Sequence, residues 1–242
     1  MPQYLTFQLY GPFAAYGSVA VGEVRSIAPS PAKSAILGLI GGALGIDRYD
    51  NDTHRRMANA YRLAVRMDAP GRILRDFHTV QSCTPAKGFF PGMRREELGQ
   101  GVTIQTITSR RDYLNDALCM VCLKTTDEAP YSLDRLKEAL ERPVYVPYVG
   151  RKSCPLGLPL APSIEEAQSF WEVLRHKPPD RRFLKKIVPG SGSEDGTRVR
   201  LFWEDEGTLQ PDQSLPRRDI PLNRTSWQFA EREEMQGDME LP

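Results

Sequence analysis

The stretch Ala32-Lys-Ser-Ala-Ile-Leu-Gly-Leu-Ile-Gly-Gly-Ala-Leu44 restricts the fold of this chain more than any other. Ser30-Pro31 reads as an N-cap followed by proline at the first helical position, opening a helix that runs to about Leu44. The helix is apolar nearly all round, the signature of a helix buried on every side. Gly38, Gly41 and Gly42 each cost about 1 kcal/mol against alanine in a helix interior. Something must therefore pack very close to it.

The segments around that helix suit a sheet. Leu5, Phe7 and Leu9 alternate with polar residues as a strand that Gly11-Pro12 should end, and Tyr61 to Met67 alternates likewise. Between them a second short helix is expected from Asp52 or Thr53. Residues 102–108 are β-branched, 116–124 form an apolar run typical of a central strand, and Val144 to Val149 is strand-like. Ser132 caps a helix carrying Leu133, Leu136 and Leu140 on one side. The order β-α-(α)-β-insert-β-α-β predicts an α+β fold of the ferredoxin-like (RRM-type) kind, over residues 1–160. The insert, about 72–109, has β-rich flanks and a tip rich in Gly and Pro from Thr84 to Gly101, which suggests a long β-hairpin. Residues 161–242 read as a C-terminal helix and β-hairpin extension. Its helix is opened by the capping box Ser163-Ile-Glu-Glu166, and its hairpin joins Phe183–Val188 to Thr197–Trp203.

Charge is unevenly spread. Residues 204–242 hold ten acids and four arginines, a net of −6, leaving 28 basic against 21 acidic side chains elsewhere, or +7. A basic body suits a polyanionic partner. No apolar run is long enough to span a membrane, and the N-terminus lacks a signal-peptide shape. Four cysteines make no disulfide framework, so a cytoplasmic, reducing setting is expected. Cys119 and Cys122 have no second pair at zinc spacing and read as core, so neither metal nor cofactor is expected.

Four places could carry chemistry. Gly150-Arg-Lys-Ser153 lacks the glycines of a Walker loop; Arg151, Lys152 and Ser153 either hold a backbone phosphate or form a solvated turn. Cys154, before Pro155, has no evident base and reads as packed. Arg110-Arg111 beside Tyr113 suits single-stranded RNA, cation on phosphate and ring on base, or is a charged loop with Tyr113 turned inward. The helix start at Lys33 could present N–H groups and an ammonium to phosphate, or be an exposed first turn. His78, with Asp76 on the same face, is a general base, an RNA contact or a structural hydrogen-bonder.

The glycine helix ending at Gly45, Asp76-Phe-His-Thr-Val80, Arg111-Asp-Tyr-Leu114 and Tyr148-Val-Gly-Arg-Lys-Ser-Cys-Pro-Leu156 together resemble the CasD-type family. These are the type I-E CRISPR proteins that cap the 5′ end of the guide RNA in Cascade. The resemblance implies a non-catalytic crRNA-binding subunit in antiviral defence, whose body hooks the 5′ handle. Its hairpin, the "thumb", would meet the CasC-type backbone subunit and kink the guide. A CasA-type large subunit would be a further partner, and target DNA an indirect one. Carried onto this chain, the handle-facing residues are Lys33, His78, Arg110, Arg111, Tyr113, Arg151, Lys152 and Ser153. Type I-C relatives are instead metal-independent pre-crRNA endoribonucleases with a Tyr/Lys/His site. That alternative requires His78, Tyr113 and Lys152 to converge.

Overall fold

A computed structural model describes residues 1–18, 20, 22–84, 90–99, 102–180, 198–204 and 210–242. Its centre is one strand of 22 residues, β5 (Ile104–Thr125), against which four of the other eight described strands register. β1 (Gln3–Ala14) and β3 (Tyr61–Ala69) flank its second half, both antiparallel, with Leu5 and Leu63 each opposite Leu123. The buried run 117–123 explains why that half is central. Cys119, Val121 and Leu123 enter the helix-side core, while Met120 and Cys122 enter a second core on the other face. The two cysteines thus serve opposite faces of one strand, as their three-residue spacing predicts.

The helices α1 (Lys33–Leu44), α2 (Asn51–Ala60) and α4 (Leu133–Glu141) cover one face. In α1 the close packing demanded by the glycines is visible at two of three. A Cβ on Gly41 would sit 3.2 Å from the His54 ring, and one on Gly38 would sit 3.4 Å from the Arg224 guanidinium, whereas Gly42 has open space. The helix start differs from the expected one. Ala32 is the N-cap residue, and Ser30 instead accepts hydrogen bonds from Arg217 through both Oγ and its carbonyl.

Three further local readings are corrected. β1 continues past Gly11-Pro12 to Ala14, because the proline's missing N–H faces the side of the strand that β6 (Ser163–Glu166) no longer covers. Ser163–Glu166 is that edge strand, not a helix: Ser163 Oγ lies 2.8 Å from Thr6 Oγ1 across the ladder. The helix begins six residues later as α5 (Phe170–His176), with Ser169 accepting from Glu172 N and Glu172 accepting from Gln168 N. Val144 to Val149 forms no strand. Pro143 and Pro147 remove ladder donors, and the segment instead docks on the end of α1 through Val144 N–Ala43 O and Tyr145 N–Gly42 O bonds.

The C-terminal strands extend the same sheet. β7 (Arg198–Trp203) pairs with β3, β9 (Gln228–Glu240) with β7, and β8 (Gln213–Asn223) with β9, giving the order β6-β1-β5-β3-β7-β9-β8. The expected partner strand Phe183–Val188 lies outside the described residues. The insert is a hairpin: β4 (Arg72–Cys83) pairs along its whole length with Ile104–Asn115 of β5. The short helix α3 (Arg94–Glu97) lies in its tip, and a two-residue strand β2 (Val24–Arg25) runs along the other edge of β5. The protein is thus a mixed α/β structure dominated by one antiparallel sheet with few helices.

Candidate nucleic-acid interface

Residues 110–114 are strand, not loop, so neighbouring side chains point to opposite faces. Arg110 stands opposite Phe77, while Arg111 stands opposite Asp76 and shares its face with Tyr113, His78 and Ser109. Contacts agree with that alternation. Arg111 Nε donates to Ser109 Oγ at 3.3 Å, and Arg75 forms a fork-like pair with Asp112 on the reverse face. Arg25, opposite Arg111 in the β2–β5 register, adds a further cation to the Arg111 face. Nothing in the sequence flags Arg25, because a two-residue strand has no periodicity to read.

The Gly150 elbow meets this face. Gly150 has φ +82°, and a Cβ there would lie 1.9 Å from the Ala15 carbonyl oxygen, so only glycine lets the chain pass. Ala15 N donates to Val149 O, Val149 N to Cys154 O, and Cys154 N to Arg151 O, which fixes the turn against the end of β1. Arg151 emerges from it onto Tyr113: Nη1 donates to the phenol at 3.1 Å and the guanidinium carbon lies 5.7 Å from the ring centroid. Phe13 closes edge-on to the same ring at 6.4 Å. Lys152 and Ser153 are exposed at the tip of the turn. Cys154 is buried, and burial pushes its thiol up, which leaves it packing rather than nucleophilic.

His78 is half exposed, its Nε2 2.5 Å from Asp76 Oδ2. It shares a face with Tyr113, but their registers are four residues apart, about 13 Å along the ribbon. The strand geometry therefore keeps these two members of the possible Tyr/Lys/His set out of mutual hydrogen-bond reach.

Lys33 is withdrawn from the surface altogether. Its side chain is buried, with Nζ 2.8 Å from Glu204, and its backbone N–H donates to Asp219 at 2.7 Å. Burial lowers its pKa, partly offset by Glu204. The helix start that could have received a phosphate already holds a carboxylate of the protein's own C-terminal hairpin.

An antiparallel-sheet protein with a long two-stranded ribbon and an arginine–aromatic elbow beside it is what the fold and this face define. The chain belongs to the Cas5 family of CRISPR-associated proteins: the family model described as "CRISPR-associated protein (Cas_Cas5)" matches residues 4–234. It is 35% identical over 241 residues to the CRISPR system Cascade subunit CasD of Escherichia coli (strain K12), covering 96% of this chain and 95% of that one. A chain of a solved CRISPR RNA-guided surveillance complex is similar with a TM-score of 0.64 and 24% identity, covering 99% of this chain and 91% of the other. A crystal structure of a Cas protein is similar with a TM-score of 0.56 and 21% identity, covering 99% and 95%.

Proposed function

We propose that this protein is a crRNA-binding subunit of a type I-E Cascade surveillance complex, a structural component that holds the 5′ handle of the guide RNA and does not cut it. The observation that carries the reading is the likeness to the E. coli CasD subunit along nearly the whole of both chains. The local chemistry suits it. Arg111, Tyr113 and Arg151 on one face, with Arg25, Lys152 and Ser153 beside them, offer cations for phosphate and a ring for a base. Arg110, on the reverse face, and His78, farther along the ribbon, would touch a different stretch of the guide. Lys33 has no part in it. In such a complex base pairing reads sequence, and the protein needs only to grip backbone and shape.

In this reading β6-β1-β5-β3, with α1–α2 and α4 as the two crossovers, is a ferredoxin-like sheet whose strands β1, β3 and β5 lie within residues 1–160, while its edge strand β6 opens the 161–242 extension. The β4–β5 hairpin is the thumb, reaching a CasC-type backbone subunit. A CasA-type large subunit is the further neighbour, target DNA is met indirectly, and the assembly works in the cytoplasm. The test is a charge reversal. Arg151→Glu with Lys152→Glu lowers affinity for the handle by at least about tenfold, since charge-assisted bonds are each worth about 1.5–3 kcal/mol. The chain should stay folded. Unchanged affinity in the double variant would sink the reading. Cleavage of repeat RNA in EDTA, lost on His78→Ala, would turn the assignment to the ribonuclease of the type I-C relatives.

A further inference from the structure

The turn between β8 and β9 carries a feature that the elbow does not account for. Trp227 has φ +52°, a left-handed conformation that is a genuine outlier for a bulky residue, and its ring is 55% exposed. A strained backbone that holds a tryptophan in solvent is characteristic of a contact site rather than of packing. The turn is built to hold it there. Asn223 Oδ1 accepts from Ser226 N, and Asn51 at the start of α2 grips the turn twice, accepting from Arg224 N and donating to Thr225 Oγ1.

One arginine lies over that ring, and a second is its electrostatic neighbour. The Arg48 guanidinium carbon lies 4.8 Å from the Trp227 centroid and 5.7 Å from that of Tyr49, which is 63% exposed. Arg224 lies in the groove left by Gly38, and its Nε is buried without a hydrogen-bond partner among the described residues. Burial and the neighbouring Arg48 charge hold its pKa below the usual arginine value, opposed among the described residues by Tyr148. No described carboxylate compensates it. A half-buried guanidinium whose Nε has no partner, beside a second cation, is a place that favours an anion. The exposed indole supplies a stacking face next to it, and the same indole lines a groove of about 960 Å³ between segment 17–34 and the β8–β9 hairpin, large enough for a nucleotide.

We propose that Arg48, Arg224, Trp227 and Tyr49 form a second single-stranded RNA subsite, taking one phosphate between the arginines and stacking its base on the indole or phenol. This rests on the RNA-binding reading above and extends it. Tyr148, three residues before Arg151, is the electrostatic neighbour of Arg224 and links the elbow to the new site. The RNA track then runs from the ribbon face over the end of α1 to the β8–β9 turn. Gly38 gains a functional reason, since it leaves room for the arginine.

The test is photocrosslinking in the assembled complex, with 5-iodouridine placed at successive positions of the guide's 5′ handle. At least one position should crosslink to Trp227 or Tyr49. Crosslinks confined to residues 109–113 and 148–153 would overturn the second subsite while leaving the first reading intact; crosslinks at neither place would sink both. Independently, Arg48→Ala with Trp227→Ala should weaken handle binding by roughly tenfold, the loss typical of one stacked base. It should also reduce the slope of log K against log salt by about 0.7, one phosphate's share for a single strand. Thermal melting confirms that the variant is folded. Unchanged RNA affinity with impaired subunit assembly would assign the surface to a protein neighbour and overturn the proposal.

Discussion

Two clusters of charge occupy this molecule, and they have opposite fates. At the start of α1, Lys33, Arg217 and Arg232 meet Glu204, Asp219 and Glu234 largely withdrawn from solvent. Asp219 alone accepts from Lys33 N and, in a fork, from Arg232 Nε and Nη2. On the ribbon and elbow, Arg110, Arg111, Arg151 and Lys152 stand in or near solvent without a carboxylate among their named contacts. The acids of residues 204–242 account for part of the difference. Glu204, after β7, and Asp219, on β8, hold Lys33 of the body at one end, the tail's own Arg217 and Arg232 pair with its remaining acids, and the cations at the other end stay open. An acidic tail that reads as a counterweight in sequence is, in three dimensions, a selective one.

The comparison breaks most sharply at Asp219. Asp219→Ala takes one of its two carboxylates from Arg232, which keeps Glu234, and leaves the first N–H of α1 buried without a partner, a combined loss of about 3–5 kcal/mol for an orphaned donor and a half-removed buried pair. Urea denaturation would measure it, and RNA affinity per folded molecule should stay at the wild-type level. A variant that unfolds as easily as wild type would mean that the cluster is hydrated rather than structural. Next in size is Gly150→Ala, which combines a positive φ with contact against the Ala15 carbonyl and should cost on the order of 3 kcal/mol. Because the elbow carries Arg151, this variant should lose RNA affinity and stability together, unlike Asp219→Ala. By contrast Arg151→Glu with Lys152→Glu should cost only about 1 kcal/mol of stability, the bond and ring contact that Arg151 makes with Tyr113.

How much of this was legible depends on which forces act locally. Periodicity found α4 and strands β1 and β3, because each carries a continuous apolar face along its own length, although the other face of β1 and β3 is buried too. It failed at Ser163–Glu166, where a capping-box spelling coincides with an edge strand, and the deciding contact is to Thr6, 157 residues away. It failed again at Val144–Val149, where apolar alternation outweighed two prolines. At the site, Tyr113 and Arg151 are each legible as candidates, yet nothing local announces that they touch. Arg110 and Arg111 look equivalent until β5 is known to run unbroken through them. Lys33 is the clearest case: the carboxylates that bury it lie more than 170 residues downstream. The β8–β9 turn left no sequence signal, since a left-handed tryptophan is written like any other.

The smallest effect concerns the cysteines and sharpens the contrast between core and ribbon. Burial pushes the Cys119 thiol up to about 12, above its hydrogen bond with Tyr16, and pushes Cys154 up as well. A raised thiol pKa keeps the group protonated at lower pH, and only the thiolate attacks a disulfide reagent. At pH 8 these two, and the fully buried Cys122, should stay silent in the native chain. Cys83, half-exposed at the end of β4, should react as a single equivalent. Raising the pH to 9 should still leave Cys119 unreactive, because its thiol, pushed up to about 12, stays neutral there. Handle RNA bound along the ribbon should slow Cys83 and not the denatured-state reaction of the others. A second thiol titrating in the native state at pH 8 would show that the sheet around β5 opens, and that the ribbon and the core are less distinct than their burial indicates.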